Sequence, residues 1–207
     1  MRANREPTLA AGLAGDARPA AALILASGRG NYEYLFAGKA AAGHRLARYW
    51  RARQGWFSHR YALTLRWRGR LLALALGYAE ADGAAIDAGM LRCLAREPAA
   101  LRRHLDAALP LLLSLVPRLP QDAYYLQNLV VVAGSRGQGL GTRLLRQVET
   151  GARQAGCREL HLDVAADSRA LAFYRRHGYA VRAEIRVPEL AAGHAIGPHC
   201  RMQKPLV

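Results

Sequence analysis

Lysine is nearly absent from this chain of 207 residues. Only Lys39 and Lys204 occur, and the rest of the 30 basic residues are arginines. A nucleotide loop of the G-x-x-x-x-G-K-[ST] kind needs a lysine beside its glycines, so that class is excluded. Cysteine is scarce as well. Cys93, Cys157 and Cys200 are odd in number and far apart, which fits neither a disulfide framework nor a zinc spacing. They suit a reducing compartment, so a cytoplasmic location is expected and no metal is. No apolar run reaches the ~18 residues that a bilayer span requires. The longest, around Ala107–Val116, is interrupted by Pro110 and Ser114, and Glu6, Gly12, Gly15 and Asp16 break up any leader-like core. Internal repeats and low-complexity linkers are also missing, which argues against a second domain.

What is present is ample material for a core, with 52% hydrophobic residues. The expected organisation is one domain over residues 16–207, preceded by a flexible or weakly stranded segment 1–15. The formal net charge of +15 has the look of a nucleic-acid binder. The arginines are scattered over many elements, however, so no specific nucleic-acid partner and no membrane partner is expected. A positive field steers anionic ligands inward and disfavours polycationic ones, which leans the reading toward neutral or acidic acceptors.

The run Leu129–Leu145 carries the most information. An apolar strand leads into the turn Arg136-Gly137-Gln138-Gly139-Leu140-Gly141-Thr142, and an amphipathic helix comes next. Glycines at a helix start let the main chain approach a phosphate, and the free N–H groups and helix dipole favour an anion there. Arg136 can add a charge-assisted bond. A G-x-G-x-x-G turn is one residue out of step, because Thr142 stands where its third glycine belongs. The pattern that fits is R-x-x-G-x-G, at Arg136, Gly139 and Gly141. A glycine turn without a ligand is the plainer alternative.

Downstream, Leu140, Leu144, Val148 and Ala152 make a one-sided helical stripe that stops near Gly156. Leu160, Leu162 and Val164 alternate as a strand. Asp167 or Ser168 can cap a second helix carrying Leu171, Tyr174 and His177. Tyr179 to Val187 alternates most regularly of all. The string Asp167–Tyr179 follows N-x-x-A-x-x-x-Y-x-x-x-G-[FY] except at its first position, which is Asp167. Together with the loop about thirty residues earlier, it resembles the GNAT acetyltransferase superfamily, most strongly over residues 124–187.

That resemblance implies an α+β fold in α/β/α layers: a mixed, mostly antiparallel twisted sheet flanked by helices. It implies acetyl-CoA as acyl donor, no metal, and a primary amine on a small molecule or peptide as acceptor. The coenzyme diphosphate would lie on Arg136, Gly137, Gln138, Gly139, Leu140, Gly141 and Thr142. The pantetheine arm would pair with Leu129, Val130 and Val131, and Tyr174 would be the general acid. Asp167 replaces the family's asparagine, so a donated hydrogen bond is lost there. The base is open: Gln127 and Asn128 can hold a relay water, Glu33, His59 and Glu80 lie on segments expected near the acceptor, and Asp163 lies on the next strand. A non-catalytic acyl-CoA-binding module on the same fold is the alternative function, and a homodimer is compatible with the sequence.

In the first half, helices are expected from Asp16 to Ser27, over Asn31–Phe36 and over Ala40–Arg53. A hairpin comes after them, with Arg68-Gly69 at its turn. Residues 89–117 read as a helical insertion before the cofactor-binding strand, with Pro98 suited to a helix start and Pro110 expected to kink or split the stripe that comes after it.

Overall fold

The computed structural model describes residues 6–206; the part of the expected N-terminal segment at 1–5 lies outside them. The chain runs β1 (Thr8–Ala11), α1 (Ala17–Ser27), α2 (Arg29–Leu35), α3 (Lys39–Arg51), β2 (Ala62–Trp67), β3 (Arg70–Ala79), α4 (Gly83–Leu94) and α5 (Ala99–Leu113). It continues through β4 (Ala123–Val131), α6 (Leu140–Gln154), β5 (Glu159–Ala165), α7 (Ala170–Arg176), β6 (Ala180–Ile185), α8 (Pro188–His194) and β7 (His199–Pro205). The seven strands form one sheet in the order β1-β2-β3-β4-β5-β7-β6, antiparallel except where β4 meets β5.

The hairpin between β2 and β3 closes where it was expected. Arg68 and Gly69 both take positive φ (49° and 76°), the two-residue turn whose twist matches that of the strands. Strand β3 is then covered on both faces, which is why it reads as a continuous apolar run. Leu74 and Leu76 join the core beneath α1, α3 and α5, with Ile24, Phe36, Leu46 and Trp50. Ala73 and Ala75 face the opposite layer, with Leu144, Leu145 and Val148 of α6. Burying a leucine such as Leu144 contributes about 1.5–3 kcal/mol.

Glu97 ties the insertion to the first layer. Its carboxylate is buried between Arg45, Arg48 and Tyr49 of α3. The insertion is helical but begins earlier than expected, at Gly83, and it divides at residues 95–98 rather than at Pro110. Pro110 removes one N–H, yet the helix continues through it unbroken to Leu113. Asp16 adjoins α1 as expected but makes no side-chain cap; its carboxylate pairs with Arg66 of β2. Strand β6 forms where the alternation was strongest, yet its residues are largely exposed because it is the sheet edge. Helix α8 and strand β7 have no counterpart in the sequence reading. Strand β7 inserts between β5 and β6 and pairs with β5 along its whole length.

Two irregularities in β4 shape the centre of the sheet. Leu76 pairs with Asn128 and Gly77 with Leu126, so Gln127 is an extra residue that bulges from the strand. A Cβ on Gly77 would lie 2.5 Å from the Tyr125 carbonyl oxygen and 3.1 Å from the Leu126 Cα. Only glycine fits opposite the bulge. Strand β4 also pairs with β5 only at Ala123, Tyr124 and Tyr125, after which the two strands part.

Gly77→Ala is expected to lower stability by about 1–3 kcal/mol, since either the bulge or the strand must shift. Urea unfolding measures it; an unchanged midpoint would show that the bulge has room to spare.

Candidate active site

The parting of β4 and β5 opens a cleft of about 1070 Å³ in the middle of the sheet. Its sheet wall carries Tyr125, Gln127, Asn128 and Leu129 from β4, and Asp163 and Val164 from β5. Helices α1 and α2 close one side, the end of α5 another, and Asp167 and Tyr174 a third.

The glycine loop lies at the open end of β4. Gly137 and Gly139 take positive φ (77° and 75°), and a Cβ at either would meet nothing within 4 Å. The loop is therefore strained for other residues but uncrowded. Among the described residues, the main-chain N–H groups of 137 to 142 have no backbone partner, whereas the Arg136 N–H is bonded to the Ala133 carbonyl at 3.3 Å. The free row thus begins at Gly137. The Arg136 side chain also turns inward, donating from Nε to the Val131 carbonyl at 3.3 Å, so it braces the loop. Thr142 is engaged too. His177 Nδ1 lies 2.8 Å from the Phe173 carbonyl and must donate to it. With a neutral ring, Nε2 then accepts from the Thr142 hydroxyl at 3.0 Å, joining α6 to α7. What remains for an anion at Thr142 is its N–H. Gln138 is exposed and Leu140 is anchored in the core.

The three apolar residues of β4 separate. Leu129 lines the cleft, Val130 is buried in the core beneath the first helices, and Val131 packs beside Gly141 in the opposite layer. Tyr174 is only 7% exposed and lines the cleft. Burial pushes its phenol well above the ordinary tyrosine value, and its hydroxyl has no hydrogen-bond partner among the described residues. The other buried phenols differ: Tyr125 donates to Asp163 and Tyr179 to Glu149. Asp167 is exposed on the cleft wall and does not cap α7; Ser168 does, accepting from the Ala170 N–H at 3.2 Å.

The acceptor-side candidates also sort. Asp163 is clamped by Arg201, which donates from Nε and Nη2 at 2.8 Å each and also binds the Pro117 carbonyl. Glu33 lies 3.9 Å from Arg29. His59 is bonded to the Trp50 carbonyl and does not line the cleft. Asn128 donates to Ser27 Oγ and Tyr32 Oη at 2.8 Å each, and Gln127 leans on it at 3.4 Å. Glu80 lines the cleft with neither a hydrogen bond nor an ion pair among the described residues; burial, then the charge of Asp87, push its carboxyl up, against a smaller pull from Arg201. Trp56, Tyr78 and Asp87 are cleft residues that the sequence reading missed. They come from a loop, a strand and the insertion, and no spacing connects them. Among the described residues no helix is long and apolar enough to cross a membrane, and no group of three or more metal-binding side chains occurs.

The sheet is thus split between two parallel strands, with a glycine loop at the mouth of the gap and a tyrosine on its wall. The match to the acetyltransferase (GNAT) family model covers residues 42–179. The chain belongs to that family. Over 60 residues it is 45% identical to the uncharacterised N-acetyltransferase YesJ of Bacillus subtilis (strain 168), a stretch that is 28% of this chain and 33% of that protein. The match thus spans about a third of the relative's length. An N-acetyltransferase from Staphylococcus aureus Mu50 is similar in structure, with a TM-score of 0.73 at 14% identity over 95% of this chain and 100% of that one. A second acetyltransferase structure gives 0.66 at 19% identity, over 97% and 100%. At such identities the likeness is one of fold.

Arg201→Met leaves Asp163 buried without its counter-charge and is expected to cost about 3–5 kcal/mol in thermal or urea unfolding. Adding Asp163→Leu should recover much of that loss; no recovery would mean that the packing of Arg201, not its charge, matters.

Proposed function

We propose that this acetyltransferase moves an acetyl group from acetyl-CoA to a primary amine, with Tyr174 as the proton donor. The observation that carries the reading is the gap between β4 and β5, with the row of free N–H groups at its mouth and the unpartnered Tyr174 phenol on its wall.

The residues fit the donor. The N–H groups of Gly137 to Thr142 sit at the start of α6, where the helix dipole adds to their attraction for a diphosphate. The β4 edge from Leu126 to Val131 lacks a β5 partner, and an amide-rich arm can pair with it as an added strand. One N–H of Leu129–Val131 would polarise the acyl carbonyl as negative charge grows on its oxygen. When bound, acetyl-CoA supplies the thioester that the acceptor nitrogen attacks. Tyr174 holds its proton throughout the physiological range, because burial penalises the phenolate. It therefore meets the departing sulfur as a fixed hydrogen-bond donor and proton source. Asp167 accepts where an asparagine would also donate, which weakens one contact to the arm and leaves the others in place.

Binding without turnover is the second reading, and Asp167 is the feature that favours it. Tyr174→Phe separates the two. It is expected to lower kcat by about 10²-fold or more while acetyl-CoA affinity by calorimetry stays the same; unchanged turnover removes Tyr174 as donor, and no turnover in the wild type with any amine favours the binding module. Because the phenol is shifted upward, the rate should not fall as pH rises through the ordinary tyrosine value of 10.0. A descending limb at that pH that vanishes in Tyr174→Phe would contradict the burial effect. Gly139→Trp, at a φ of 75° that side chains resist, should abolish acetyl-CoA binding with little change in circular dichroism. Normal affinity in that variant would remove the loop from the donor site.

A further inference from the structure

The end of the cleft away from the glycine loop has a charge that the composition does not suggest. Basic residues outnumber acidic ones by 30 to 15. Even so, Glu80 and Asp87 both line this lobe, and among the described residues neither has a lysine, arginine or histidine within ion-pair range. Arg201, the nearest cation to act on Glu80, is already committed to Asp163. The other cations on the cleft wall, Arg29 and Arg118, are exposed, and neither pairs with Glu80 or Asp87.

The surroundings are aromatic. Tyr78 stands two residues before Glu80 on β3, its ring 6.0 Å from that of Tyr125. Trp56 donates from Nε1 to Asp87 at 2.6 Å, which fixes that carboxylate on the wall. Carboxylates beside aromatic rings suit an organic cation, because the rings add attraction for a cation they can shed water against. A second observation concerns another wall of the same cleft. Tyr174, over nine-tenths buried, presents a hydroxyl without a partner to the same cavity. Both carboxylates also repel each other, and a cation between them relieves that repulsion.

We propose that the acceptor is a small aliphatic diamine, one nitrogen of which is acetylated while the other, still protonated, is held by Glu80 and Asp87 beside Tyr78 and Trp56. This rests on the acetyltransferase reading above. The chemistry balances as amide formation. The nitrogen–carbonyl carbon bond forms and the carbon–sulfur bond breaks; the proton lost by the neutral attacking amine is matched by the one taken up at sulfur. The positive field of the whole molecule opposes such a ligand at long range, but salt screens that field beyond roughly 8–10 Å, and the lobe's own charges act at contact.

The test is CoA release by the intact protein with diaminobutane, butylamine and aminobutanol as acceptors, at low and high salt. Diaminobutane is expected to exceed the other two in kcat/KM by roughly tenfold or more at low salt, mostly through KM, and salt should narrow the gap. Glu80→Gln with Asp87→Asn keeps shape and the Trp56 hydrogen bond while removing both charges, and should bring the ratio of diamine to monoamine to about one. Equal kcat/KM for the three amines in the wild type overturns the proposal and leaves the acetyltransferase reading standing. So does a diamine preference that survives in a double variant whose acetyl-CoA affinity shows it to be folded. Should that variant fail to fold, a wild-type preference indifferent to salt has the same force. No CoA release with any amine overturns both readings.

Discussion

Two parallel strands that begin paired and then separate put a hole in the centre of a sheet, and that is an expensive thing to build. Main-chain groups along both edges lose their partners, and each must find water or a ligand. Here the separation is held from both sides. On the β4 side, the extra residue at Gln127 bends the strand, and Gly77 makes room for the bend. On the β5 side, β7 pairs along the full length, and Arg201 grips Asp163 where the gap begins. Neither strand can relax toward the other without giving up these contacts. The cleft is thus a property of the sheet, with the helices serving to roof it.

Charge in this protein works at two ranges. The surplus of arginine sets a positive field suited to an anionic donor, and much of it is diffuse. The buried ionic contacts are local and specific: Glu97 among α3 side chains, Glu149 with Tyr179 and Lys204, Asp163 with Arg201. Each joins elements distant in the chain, and each carboxylate has more than one donor, as a buried charge requires. Against that pattern, Glu80 and Asp87 stand out, since neither has a cationic partner among the described residues and Asp87 is held by Trp56 alone. Net charge is a poor guide to a cleft whose lining carries more carboxylates than arginines.

Legibility followed range. The hairpin at Arg68-Gly69, the strand and stripe of Leu129–Ala152, and the Asp167–Tyr179 helix were readable because turn glycines and apolar periods act within a few residues. Strand β7 was not, since His199-Cys200-Arg201-Met202 alternates weakly and Arg201 is buried only through its pairing with Asp163. The alternation of β6 was clear but gave no sign that the strand would be an exposed edge. Within the site, the loop and Tyr174 came from motif spacing. Their hydrogen bonds did not: Arg136 turned out to brace Val131, Thr142 to serve His177, and Ser168 rather than Asp167 to cap α7.

By itself, then, the order of residues determined the glycine loop and the helix behind it. They are one contiguous stretch, and local backbone preferences suffice to make them. The far end of the cleft was decided by tertiary structure alone. Trp56, Tyr78, Glu80 and Asp87 become neighbours only when a loop, a strand and an inserted helix close around the split sheet. No local rule links their positions, because what brings them together is the packing of elements that meet only after the chain has folded.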